Sequence, residues 1–150
     1  MMRPLVVMLA CATLPIAAQH PLAGTWKLSY AVGARVDGGV RTVINGTGTL
    51  TLKQVGDSLV GELLTDATEE FPQRPPVRMA GRATEGAVSL VSRSTGKVNM
   101  NGDEHDVTAI STWKLTVAGD SVSGTVSRAL EGMDLPPMPA APVSGVRTGG

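Results

Sequence analysis

The imidazole inventory of this chain is two residues, His20 and His105. His105 lies in Asn101-Gly102-Asp103-Glu104-His105-Asp106, where three carboxylates and one imidazole fall within four consecutive residues. A Ser-His-Asp relay would have to recruit His105. No Gly-X-Ser-X-Gly elbow accompanies it, so no catalytic residue is assigned. A Ca²⁺ ion asks for six to eight oxygens in a shaped loop. The run lacks the EF-hand spacing, so it reads as a solvated hairpin tip and no metal site is assigned. A second acidic patch, Asp66 with Glu69 and Glu70, precedes Pro72. Carboxylates that hydrolyse glycosides face each other across a cleft beside stacking aromatics, and Phe71 alone makes no such platform. Arg74, Arg78 and Arg82 form a modest basic run, in which Arg78 and Arg82 share strand parity and point to solvent. There is no Gly-rich phosphate loop, and His105 is poorly placed as a haem ligand. No cofactor is expected.

Chemistry aside, the most suggestive surface is apolar. Leu130, Met133, Leu135 and Met138 gather among prolines in a connection from Glu131 to Pro142. Long connections in compact domains are often lids, and Met adapts to varied apolar shapes. Met133, Leu135 and Met138 are therefore the candidate lid, against the plainer reading of an ordered strap over the sheet edge.

The elements that must position these residues are strands. Leu50–Leu63 and Trp113–Val126 repeat one pattern: alternating apolar and polar residues on either side of a Gly-Asp pair, Gly56-Asp57 and Gly119-Asp120. Gly at the first central position suits a type II′ hairpin, and the period of two marks strands with one buried face. Further strands are expected at 24–32, weakly at 40–45, and at 48–55 and 58–65. The pattern continues at 77–84 and 87–93, after which a turn at Ser94-Thr95-Gly96 leads to a short strand ending at Met100. Strands at 107–118, 121–130 and 143–148 complete the count. No segment carries a helical period. The fold class is all-β, an antiparallel up-and-down barrel of about eight strands, since closure removes exposed edges. A β-sandwich is the alternative.

Residues 1–18 read as a signal peptide: Arg3, an apolar run from Leu5 to Ala18, and small residues at Ala17-Ala18. The run is too short to span a bilayer, which wants about 20 residues. Residues 19–150 are then one barrel domain, exported to the periplasm or secreted. Cys11 is the single cysteine and falls inside the leader, so the exported chain has no disulfide framework. Leu9-Ala10-Cys11 faintly resembles a lipobox, and lipid anchoring at Cys11 is the minor alternative. The 13 basic and 13 acidic side chains balance, which argues against a nucleic-acid partner. Trp26, Tyr30, Phe71 and Trp113 are all the aromatics, too few for the two girdles of an outer-membrane barrel. The protein is not expected to span a membrane.

Gly24-Thr25-Trp26 at the start of the first strand resembles the Gly-X-Trp signature of lipocalins and the wider calycin group. In that group the Trp plugs the closed end of the barrel, and an Arg from the last strand packs across its indole. The resemblance implies that Trp26 and Arg147 close this barrel. Small exported bacterial β-barrel domains also look similar in their Gly-Asp hairpins and Gly-X-Arg ending. The chain lacks the lipocalin disulfide, a C-terminal helix and most ligand-facing aromatics. The implied function is a non-catalytic binding module for a small apolar molecule or an envelope protein. Leu50, Leu52, Leu63, Met79, Val88, Leu90, Leu115 and Val126 would line or fill its interior. The alternative is an envelope accessory domain without a small-molecule ligand, and an enzyme of unknown class comes third.

Overall fold

The computed structural model describes residues 19–38, 40–69, 72–100, 102–132 and 138–149. Among them are eight strands: β1 (Gly24–Asp37), β2 (Val40–Val55), β3 (Ser58–Thr65), β4 (Val77–Thr84), β5 (Ala87–Met100), β6 (Asp103–Ala118), β7 (Ser121–Glu131) and β8 (Met138–Gly149). Each pairs antiparallel with the next, and β8 returns to β1, giving a closed up-and-down barrel rather than a sandwich. Two-residue turns set the registers. Val55 pairs with Ser58 around Gly56 (φ +60°), and Ala118 with Ser121 around Gly119 (φ +62°). A positive φ at the first central residue is what hairpins of this hand require, so the repeated Gly-Asp fixes both.

Alternation along the strands sends Trp26, Leu28 and Tyr30 of β1, Leu50 and Leu52 of β2, and Leu90, Trp113, Leu115 and Val126 of later strands into one apolar cluster. All of these are at most 3% exposed. Where strands approach most closely, only glycine fits. A Cβ on Gly124 would lie 1.7 Å from the Lys114 carbonyl oxygen, and one on Gly81 would lie 1.7 Å from that of Ser89. Gly61 is held in the same way, since a Cβ there would lie 2.3 Å from the Thr51 carbonyl oxygen.

The strands run longer than their sequence suggests. β1 continues past Gly33 to Asp37, because a bulge between Ala31 and Gly33 absorbs one residue and pairing resumes with Ile44. Val40–Asn45 and Gly48–Val55 are therefore one strand. No turn occurs at Ser94–Gly96, since these residues pair with Ala109, Thr108 and Val107. The acidic run from Asp103 is the start of β6 rather than a tip. Met138–Pro142, expected in a loop, opens β8 and pairs with β7 alone. Proline is tolerated there because one side of the strand has no neighbour asking for a donor.

Asp66, just past β3, ties three strands together. Its carboxylate accepts from Lys27 Nζ and from Thr47 Oγ1 (2.6 Å), and its own N–H donates to Thr47 O (2.9 Å). These two donors hold its carboxyl below the ordinary range.

Replacing Gly124 with Ala should cost about 3 kcal/mol or more, since backbone must move. Gly86→Ala, with open space around it at φ +71°, should cost only about 1 kcal/mol. Thermal melting of both variants checks this contrast. The Asp66 contribution is complete above the usual carboxylate pKa of ~4 and fades as pH falls below it, because the folded state holds its proton less tightly. The melting-temperature gap between wild type and Asp66→Asn should therefore be constant near neutrality and shrink in acid.

Candidate functional site at the mouth of the barrel

The two ends of the barrel differ. At the sealed end, Trp26 is fully buried and its Nε1 donates to Leu22 O at 2.9 Å. Trp26 and Arg147 are direct cross-strand partners, and the Arg147 guanidinium carbon lies 4.3 Å from the indole ring centre. Arg147 Nη1 donates to Ala23 O (2.9 Å), Nη2 donates to Pro21 O, and Nε faces Asp120 Oδ1 at 3.4 Å. Cation–π contact, two carbonyls and a carboxylate thus engage all three nitrogens of the planar fork. His20 caps this end. Its Nδ1 accepts from Leu22 N–H (3.1 Å), so the proton sits on Nε2, which donates to Thr84 O (2.6 Å).

Towards the other end the interior becomes polar. One cross-strand row, Ser92–Ser111–Arg128, lies directly above the row Leu90–Trp113–Val126. Ser92 and Ser111 are the buried polar residues among those described, at 5% and 9% exposure. Tyr30 packs edge-on to Trp113, ring centres 5.2 Å apart at 79°, and its hydroxyl bonds Thr65 Oγ1. Burial raises the Tyr30 pKa, so the phenol stays protonated. Trp113 Nε1 is buried without a hydrogen-bond partner.

Arg128 has the most unusual environment. Its Nη2 donates to Ala31 O at 3.0 Å. Ala31 lies at the β1 bulge, beyond the last β1–β8 pair, Ser29 with Ser144, so its carbonyl faces an unclosed seam. A second bulge, between Val126 and Arg128, shifts β7 against β8 at the same level. Desolvation lowers the Arg128 pKa, and Arg74 adds repulsion. No carboxylate pairs with Arg128 among the described residues. A partly buried guanidinium with five donors and one carbonyl is a site that favours an incoming acceptor, above all an anionic one.

The eight residues expected to line or fill the interior all belong to the contiguous core. The basic run divides: Arg74 stands close enough to the mouth to act on Arg128 and Tyr30, while Arg78 and Arg82 are exposed on the outer wall. Met133, Leu135, Glu70, Phe71 and Asn101 lie outside the described residues, as do the side chains of Met138, Asp103 and His105. Arg128 escaped the sequence reading, although its parity with Val122, Gly124 and Val126 carried the signal.

The fold defines a class, the closed eight-stranded antiparallel up-and-down barrel. No family model matches the chain, and no curated protein matches it. Among solved structures it is similar to Rv2717c from M. tuberculosis, with a TM-score of 0.50 and 12% identity over 85% of this chain and 93% of that one. At that identity the likeness shows the barrel fold and nothing finer.

Replacing Arg147 with Ala should lower stability by about 3 kcal/mol, roughly 10 °C in melting temperature, through lost stacking and two charge-assisted bonds. Lys at this position keeps the charge but not the fork, and should recover only part of the loss. Melting curves and the tryptophan emission maximum check both variants.

Proposed function

We propose that this protein is an exported, non-catalytic binding module. In this reading a calycin-like barrel takes the polar end of a small, largely apolar molecule at its mouth. The observation that carries it is Arg128, a guanidinium turned inward that, among the described residues, bonds one backbone carbonyl. A half-buried charge that meets no carboxylate among the described residues is partly desolvated without compensation, and a ligand carboxylate or carbonyl would offset that cost. Arg74 adds positive potential from the adjoining loop, and the Ser92 and Ser111 side chains supply neutral partners. The apolar body of the ligand would lie across the mouth, above the level of Tyr30 and Trp113. The apolar run from Leu5 to Ala18 behind Arg3 supports export. The packed Leu and Trp floor favours a shallow site at the mouth over a deep apolar cup.

Naphthoate, an aromatic carboxylate, titrated into the purified protein and followed by tryptophan emission tests this reading. Saturable one-to-one quenching is expected, with naphthalene methanol binding more weakly. Arg128→Gln should weaken naphthoate about tenfold or more, the value of a charge-assisted bond. The reading fails if Arg128→Gln binds like wild type while melting cooperatively, or if naphthoate produces no saturable change.

A further inference from the structure

The outer wall of the barrel carries a second feature unrelated to the mouth. A shallow, open groove of about 900 Å³ crosses β2 to β5. Its floor is one cross-strand row, in which Lys53 pairs with Val60, Val60 with Ala80, and Ala80 with Val91. Val60 of β3 and Val91 of β5, on either side of Ala80, are 36% and 43% exposed, an open apolar strip on the outer wall. The rim is basic: Lys53, Arg78 and Arg93 stand against a single lining carboxylate, Glu62. Arg78 and Arg93 flank the same Met79–Ser92 pair, so two like charges sit side by side, which is unfavourable in a sheet. Their present partners are weak. Arg78 faces Glu62 at 3.4 Å and Arg93 faces Glu131 at 3.7 Å, all four side chains more than half exposed.

We infer that this groove is a docking surface for an extended acidic protein segment in which carboxylates alternate with small apolar residues. Charge complementarity selects the sign: Lys53, Arg78 and Arg93 outnumber Glu62 of the lining and the Glu131 that faces Arg93, leaving a net positive rim. Shape selects the class. Small-molecule sites enclose roughly 70–90% of their ligand, and a groove this open cannot. A strand-like segment lying along the row spans its ~14 Å with about five residues, at ~3.3 Å each. Alternate side chains of that segment would face the valines and the arginines. The ladder here has no free edge, so recognition rests on side chains rather than on strand addition.

The probe is a fluorescein-labelled synthetic peptide alternating Glu and Val, compared with its Lys–Val counterpart by anisotropy against the purified full chain. Amide shifts locate the contact. Saturable binding of the acidic peptide is expected, with shifts at Val60, Ala80 and Val91. Affinity should fall about tenfold in the R78E/R93E double variant and fall again as salt screens the rim. Both positions are exposed, so the variant should melt like wild type. If it does not fold, Lys53→Glu carries the same test. The inference is overturned by no saturable binding, by equal binding of the Lys–Val peptide, or by undiminished affinity in a folded variant. Shifts confined to the mouth around Arg128 also overturn it, and would leave the mouth reading standing. Loss of naphthoate binding in Arg128→Gln leaves the groove untouched.

Discussion

Everything in this molecule answers to the narrow bore of an eight-stranded barrel. Such a sheet, once closed, leaves an interior only wide enough for side chains or one small ligand. Leucines and two tryptophans occupy most of it. The same narrowness brings neighbouring backbones so close that Gly81 and Gly124 admit no side chain. It also decides where polar groups can go. The floor is packed and apolar, so the hydroxyls and the inward guanidinium collect at the level where the closing ladder ends.

Two arginines show how one residue type serves opposite ends. Arg147 is 24% exposed, and its donors meet two carbonyls and a carboxylate above an indole face. Among the described residues Arg128 is held by one carbonyl, across a seam beyond the last β1–β8 pair. The first is a finished structural contact. The second is half-buried and, among the described residues, bonds a single carbonyl, so the two guanidinium groups sit in opposite electrostatic settings.

Sequence made the barrel legible because its turns are local. Gly56-Asp57, Glu85-Gly86 and Gly119-Asp120 specify turns without help from the rest of the chain, and the period of two sorted inside from outside. What it obscured were long-range effects. Gly33 reads as the start of a loop, yet a bulge lets β1 continue for five more residues, Gly33–Asp37. Pro139 and Pro142 read as breakers, yet β8 accepts them where its β1 side is vacant. The candidate site was visible in part. Tyr30 and Trp113 stood out as scarce aromatics, but Arg128 is one Arg among several until the tertiary fold turns it inward beside Ala31.

The return of β8 to β1 has a consequence for how the chain organises itself in time. Seven of the ladders join strands that are neighbours in sequence, so each can close as a short loop of low entropic cost. The eighth joins groups such as Ala23 and Arg147, 124 residues apart. Its cost is lowest once the intervening hairpins have already shortened the path between the ends. Loop entropy therefore favours closing this ladder after the other seven. Until Arg147 settles over Trp26, the molecule is a curled ribbon with two bare edges, and the indole contact converts that ribbon into a closed cylinder.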